Sequence, residues 1–428
     1  MRVDFAFGKT GLAVDLPSGH QYRVLEAKGA APLADSAAAL EQALDHPIDS
    51  PPLLELAKGK KSAAISVCDI TRPAPNKLTL PPILRRLEQA GIPKSETRIL
   101  IATGLHRPAT QAEIHEIVGP EIAAQYPILN HDAKAFHEHR HLGSTKSGIP
   151  VYIDERFVSA DLHITLGFIE PHLMLGFSGG RKLIAPGLAA QETIKVIHSP
   201  KYMRNARSVE GSIENNPLHH ELLEVAAMAR HDFMLDVALA RDRRIAGVFA
   251  GNAVAAHRKG VEFVSNQLLE LLDEPVDAVI TTAAGYPLDL TFYQTVKGIT
   301  AAQHILKPGG RILVFAACSE GAGAPEFQEL LKGFGSYQGF LDAIRDREVI
   351  VDQWQLEKLA LVGVQFEVLF YVPGLSNDFH SSFGTNMFTS AEAAVAALTS
   401  RLGSNPSVAV IPEGPYVLAK VREAALVS

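Results

Sequence analysis

Two cysteines in 428 residues, Cys68 and Cys318, leave no room for a disulfide framework or a thiolate zinc site. Positive charge is not in excess either. A formal net charge of -7 and a pI near 6.2 argue against nucleic acid or an anionic membrane as the main partner. An acidic ligand must therefore be met by a local cluster of cations. No apolar run reaches spanning length, and the opening MRVDFAFGKTG lacks the apolar stretch of a secretory signal, so cytoplasm is the expected location. A Gly-x-Gly-x-x-Gly fingerprint is missing, as is the Gly-x4-Gly-Lys-[Ser/Thr] spacing of a P-loop. Ordinary dinucleotide binding thereby loses its usual support.

What is present is a long alternation of short β-rich runs with helical patterns, in a chain that is 47% hydrophobic and too long for one ordinary domain. Strands are expected at 63–67, 98–103 and 161–166, with helices at 78–90 and 110–118; Thr110 and Glu113 read as a capping box. A helical stretch starts at 192–198, and a long helix at 253–272 runs into a hinge at Asp273-Glu274-Pro275. Further strands are expected at 278–282, 311–316, 365–371 and 407–411, and helices at 325–332, 339–345, 353–361 and 391–400. The pattern predicts an α/β fold of two domains, each a mainly parallel sheet flanked by helices. The expected division is 1–273 and 274–411, with a segment of about 412–428 able to pack back on the first domain.

Reactive residue types collect just after the expected strands, in CDITRPAPN (68–76), ATGLHRP (102–108), GFIEPHLMLGFSGGRKLIAPG (167–187) and TTAAGYPLDLTFYQTVKG (281–298). Ligands of open α/β sheets bind at the carboxyl ends of strands, so these loops are expected to converge on a cleft between the domains. Ser178-Gly179-Gly180, followed by Arg181 and Lys182, reads either as a backbone cradle for a phosphate or as a tight glycine turn with two surface cations. His106, His172 and His198 each sit beside a glycine- or proline-bearing loop, where a neutral imidazole suits acid/base work or metal ligation. Arg72 and Lys297 can anchor a carboxylate, with Tyr293 and Gln294 adding polar groups and Trp354 either a cleft wall or plain core. The HEHRH run (137–141) imitates a metal site but reads as a solvated strand face, and His219-His220 receives the same reading. ILKPGGRILVF (305–315) is read as a helix-stopping Pro-Gly-Gly before a buried strand.

The set DITRP, GLHRP, EPHLMLGFSGGRKLIAPG, IHSP and YQTVKG, in this order and spacing, resembles the nickel-dependent lactate racemase family. That resemblance implies two α/β domains with the active site in the cleft between them. It also implies nickel and a pyridinium-3-thioamide-5-thiocarboxylic acid mononucleotide, the nickel-pincer nucleotide, delivered by cofactor-maturation proteins. By the same resemblance Lys182 is the covalent tether, His198 the nickel ligand, and His106 and His172 the acid/base pair. Arg72 and Lys297 become the substrate anchors, Asp69 a partner beside Arg72, and Tyr293, Gln294 and Trp354 cleft residues. The reaction implied is inversion at C2 of a small 2-hydroxy acid by hydride transfer, with the hydroxyl proton passing between two histidines. Two rival readings stay open: a nicotinamide-dependent hydroxy-acid dehydrogenase, which the missing glycine fingerprint disfavours, and a non-enzymatic binder of small carboxylates. A zinc hydrolase is weaker, because one expected protein ligand is too few for that chemistry.

Overall fold

The computed structural model describes residues 1–422. Two compact units divide the chain: a first unit of residues 29–198 and 207–267, and a second of residues 1–28, 199–206 and Leu268 onward.

The first unit is built on a six-stranded sheet. Its order is Ile245–Gly251, Phe233–Leu239, Leu162–Phe168, Ala63–Cys68, Thr97–Ala102, Ile128–Asn130. All neighbours are parallel except the outermost pair, where Ile245–Gly251 runs against Phe233–Leu239. Every residue of Ala63–Cys68 and of Leu162–Phe168 is buried, as expected for central parallel strands covered by helices on both faces. Those two strands lie side by side, and the chain winds outward from them in opposite directions. Their carboxyl ends therefore form the topological switch point, the crevice where open α/β sheets place ligands. The Asp69 and Gly167–His172 segments leave from there.

The second unit carries a five-stranded, wholly parallel sheet. It runs Glu367–Tyr371, Leu306–Phe315, Val276–Thr282, Ser407–Ile411, Gln21–Val24. The last of these strands comes from the N-terminus, so residues 1–28 belong with the C-terminal half and not with residues 29–267 as expected. The long helix is shorter than expected too: it ends at Leu268, and Leu269–Leu272 pairs in parallel with Leu418–Val421. The segment from 412 therefore stays with the second unit as far as 422, and residues 423–428 lie outside the described residues. The Pro-Gly-Gly of 308–310 lies inside the strand Leu306–Phe315 and stops no helix.

Local signals explain many boundaries. The helix Gln111–Val118 starts on a complete capping box, in which Thr110 Oγ1 accepts from Glu113 N–H and the Glu113 carboxylate accepts from Thr110 N–H. Thr291, Ser336 and Ser390 cap three helices of the second unit in the same side-chain-to-backbone way. No helix among the described residues is long and apolar enough to cross a membrane.

Candidate active site

Leaving its strand, the chain turns at once on Asp69. Its Oδ1 accepts from the Thr71 amide at 3.2 Å and from the Thr71 hydroxyl at 2.6 Å, a local turn that polar side chains of this length make readily. The other oxygen accepts from His106 Nδ1 at 2.6 Å. Burial alone would raise the Asp69 carboxyl, but the hydrogen bond and charge of His106, then Arg72, hold it down at about 2. An ionised carboxylate can only accept, so His106 carries its proton on Nδ1 and keeps Nε2 as its basic nitrogen. Asp69 is buried while the His106 side chain is 42% exposed, an arrangement that orients the ring and still leaves it reachable. The next residue, Arg107, forks onto Glu113 at 2.8 and 2.6 Å and ties this loop to the capped helix start.

The third loop leaves Leu162–Phe168 and forms a two-residue hairpin. Pro171-His172 pairs with Gly176-Phe177, and His172 stands directly opposite Gly176. The Met174 amide faces His172 Nδ1 at 3.5 Å, so this buried ring is approached from the backbone on that side. Gly176 has φ +75°, and a Cβ there would overlap the Ser212 carbonyl oxygen, a backbone atom that cannot step aside. Gly176→Ala should therefore cost about 3 kcal/mol of stability, read as a lower midpoint in chemical denaturation. It should also displace His172.

Beyond the hairpin the glycine pair is an internal structure. The Ser178 amide donates to the Glu170 carbonyl at 2.9 Å, and the Ser178 hydroxyl donates to Phe168 O while accepting from the Glu170 amide. The Gly180 amide donates to Asp236 Oδ2 at 2.8 Å. The Ser178 and Gly180 amides are thus engaged within the loop, and the turn is buried. Arg181 is not a surface cation either, being 1% exposed.

Lys182 occupies the short helical turn Gly180–Leu183 and makes no side-chain hydrogen bond or ion pair among the described residues. Desolvation, then the nearby Arg72 charge, lowers its ammonium to about 8, against weaker opposing effects of Cys68, Glu170 and Asp69. A substantial fraction of this lysine is thus a neutral amine near pH 8. His198 closes the helix Gln191–Ile197 as its C-terminal cap. Its Nδ1 donates to the Ile194 carbonyl at 2.8 Å, and burial pushes its imidazolium down to about 4, with the Lys182 charge adding to the effect. The imidazole is therefore neutral at ordinary pH, with its lone pair on Nε2. The first unit in this way brings Asp69, Arg72, His106, Lys182 and His198 into one set of mutually interacting groups.

The other four candidates belong to the second unit. Tyr293, Gln294 and Lys297 lie on the helix Phe292–Ala302, and Trp354 on the helix Gln353–Gly363. Trp354 Nε1 donates to the Tyr293 hydroxyl at 3.0 Å and Gln355 Nε2 donates to the Tyr293 carbonyl at 2.7 Å, so these helices fix the tyrosine at both ends. Trp354 is 5% exposed.

A family model for the N-terminal domain of lactate racemase matches residues 7–211, and one for the C-terminal domain matches residues 272–419. The chain belongs to the lactate racemase family. The lactate racemase of Thermoanaerobacterium thermosaccharolyticum is 33% identical over 426 residues, which cover 98% of this chain and 99% of the relative. That of Lactiplantibacillus plantarum is 35% identical over 387 residues, 89% of this chain and 90% of the relative. Among solved structures, the lactate racemase apoprotein from T. thermosaccharolyticum superposes with a TM-score of 0.91, covering 99% of this chain and all of that one. A Thermotoga maritima protein, 17% identical with a TM-score of 0.68 over 92% of this chain, shares the fold. This member of the lactate racemase family is an isomerase, a racemase by class.

Two features of this racemase were not anticipated. Asp236 is one, although a single acid inside the apolar strand FMLDVAL was a visible signal for a buried carboxylate with a purpose. The other is His219, expected on a solvated face. It is 7% exposed and its ring stacks on His257, with centroids 6.2 Å apart. Of the HEHRH run, His137 lies in a short helical turn, while His139 and His141 are in the strand His139–Ser144. His139 bonds the Ala135 carbonyl, and His141 stacks on Tyr152. Among the described residues no group of three or more His, Cys, Asp or Glu is placed to hold a metal ion.

Proposed function

We propose that this isomerase inverts C2 of a small 2-hydroxy acid, lactate being the first candidate because it is the substrate named for both relatives. The observation that carries this reading is the pairing of a half-buried, partly neutral lysine with a buried, neutral histidine, Lys182 and His198, at the switch point of the sheet.

These two residues fit a nickel-pincer nucleotide. An uncharged amine is the nucleophile needed for a covalent thioamide link, and Nε2 of a neutral imidazole with its other nitrogen anchored to backbone is a good nickel ligand. When bound, the group supplies a reversible hydride acceptor for the α-hydrogen, which is otherwise very hard to remove beside a carboxylate. The chain supplies the rest. Arg72 offers the substrate carboxylate a fork, and Lys297 is the proposed second anchor. His106, with Nε2 basic and Asp69 behind it, is suited to take the hydroxyl proton. His172 is the proposed partner on the other side, returning a proton once it is itself protonated as imidazolium. Two histidines match a reaction that removes a proton from one hydroxyl orientation and returns one to the other, and they exchange roles for the reverse direction.

The test is racemisation of D- and L-lactate, followed by other chiral 2-hydroxy acids, by protein co-produced with cofactor-maturation proteins. Interconversion without added NAD supports the reading, whereas strict dependence on NAD would establish the dehydrogenase. Asp69→Asn should lower kcat by about a hundredfold and shift the lower limb of its pH profile, because the ring loses the partner that fixes its tautomer and stabilises its charge. His106→Ala or His172→Ala should abolish turnover with the covalent mass increment unchanged. Turnover retained in both would remove their assigned roles.

A further inference from the structure

Beneath Lys182 lies a buried polar array that the reaction itself does not use. Asp236 is fully buried in the strand Phe233–Leu239 and takes the Gly180 amide. Gly179 has φ +83°, and a Cβ on it would overlap Asp236 Oδ2, so the turn closes directly onto this carboxylate. Arg181, also fully buried, donates to four backbone carbonyls of the same loop: Leu175 at 3.1 Å, Phe177 at 2.9 Å, Ser178 at 3.4 Å and Gly179 at 3.2 Å. His257 Nε2 donates to the Ser178 carbonyl at 2.7 Å, beside the guanidinium. The hydrogen bonding of these two buried side chains is thus directed at one loop.

Such a pair is not explained by stability. Taking a guanidinium and a carboxyl out of water is costly, and apolar side chains of similar volume are often as stable or better. What these two residues determine is geometry. Arg181 draws the carbonyls of Leu175, Phe177, Ser178 and Gly179 to one side and Asp236 holds the Gly180 amide on another, and this sets the course of the backbone into Lys182.

We propose that Asp236 and Arg181 are positioning residues for Lys182, clamping the Ser178–Lys182 turn so that the lysine amine is held in its desolvated place beside Arg72. The inference rests on the reading of Lys182 as the tether. Burial raises the Asp236 carboxyl to about 7 despite the Gly180 amide and the Arg181 charge. A neutral amide is therefore a fair substitute for it, and Asp236→Asn can keep an acceptor for Gly180, whereas Asp236→Ala cannot.

The experiment uses the full chain in two arms. In the first, protein made without maturation proteins is trace-labelled with acetic anhydride across a pH series, and the Lys182 peptide is quantified by mass spectrometry against the other lysines. Asp236→Ala and Arg181→Lys should move the half-reaction pH of Lys182 upward by about one unit, because a loosened turn hydrates the amine and relieves the effect that lowers it. Asp236→Asn should stay near wild type. In the second arm, intact mass after co-production should show adduct occupancy reduced about tenfold in the first two variants and restored in Asp236→Asn. Wild-type labelling profiles in Asp236→Ala and Arg181→Lys, with only a lower Tm, would overturn the clamp. Should Asp236→Ala fail to fold, Arg181→Lys against Asp236→Asn decides the same point. The labelling arm needs no cofactor, so a wild type that never carries an adduct would sink the tether and leave the clamp still judged.

Discussion

Lys182→Ala is expected to give a folded protein that has lost the whole covalent mass increment and all measurable racemisation. The fold should survive because the side chain makes no hydrogen bond or ion pair among the described residues, and removing a half-buried, desolvated ammonium relieves a desolvation cost. The turn that carries it is held by Arg181 and Asp236, not by Lys182 itself. Chemistry should not survive, because no other lysine contributes to the environment of His198. Lys182→Arg is the sharper version: it keeps the charge but offers a guanidinium that is protonated at any working pH and cannot act as the nucleophile. Thermal melting, intact mass and chiral product analysis on both variants give the answer. An increment of unchanged size in either would end the assignment.

The second large effect is on acid stability. Desolvation drives four imidazoliums of this unit down: His198 to about 4, His219 and His231 to about 3, and His257 well below its ordinary value. A histidine lowered in the folded state leaves stability intact above its unfolded value near 6.5 and erodes it as pH falls, because the unfolded chain takes protons that the folded chain refuses. Asp236 acts in the opposite sense. Its raised carboxyl takes a proton in the folded state near pH 7, which the unfolded chain does not do until about pH 4. Four protons against one leaves a net of three, so stability of the first unit should fall by about 4 kcal/mol per pH unit between roughly pH 6 and 4. Denaturant midpoints at pH 8, 6 and 5 measure this, and a flat series would contradict it. His219→Phe, which preserves ring stacking on His257, should reduce the slope by about a third by removing one proton of the net three.

The elements that could be read from the sequence are those whose signal is local. The strand Ser407–Ile411 and the helices Pro325–Lys332 and Ala391–Ser400 fall where periodicity places them, and the Thr110/Glu113 box starts its helix as expected. What could not be read depends on a distant partner. Leu269–Leu272 continues an apolar pattern that suits a helix, and only its pairing with Leu418–Val421 makes it a strand. Ser178-Gly179-Gly180 has the composition of an anion cradle, but its amides are answered by Glu170 and by Asp236, the latter 56 residues after Gly180. Of the candidate site, the loops after the strands were visible and so were their histidines. The division of labour between them was not. It lies in which ring nitrogen each backbone or carboxylate partner engages, Asp69 for His106, Met174 for His172 and Ile194 for His198.

The strand Gln21–Val24 has a consequence for how the molecule is made. It pairs with Ser407–Ile411, so residues 21–24 must wait for a partner nearly 400 residues later before their sheet can close. The first unit, complete once residue 267 has emerged, is free to fold during synthesis while the N-terminal segment remains an unpaired strand. Nascent chains stopped after residue 267 should therefore show a protease-resistant core that excludes residues 1–28, and those residues should gain protection only when the chain is released.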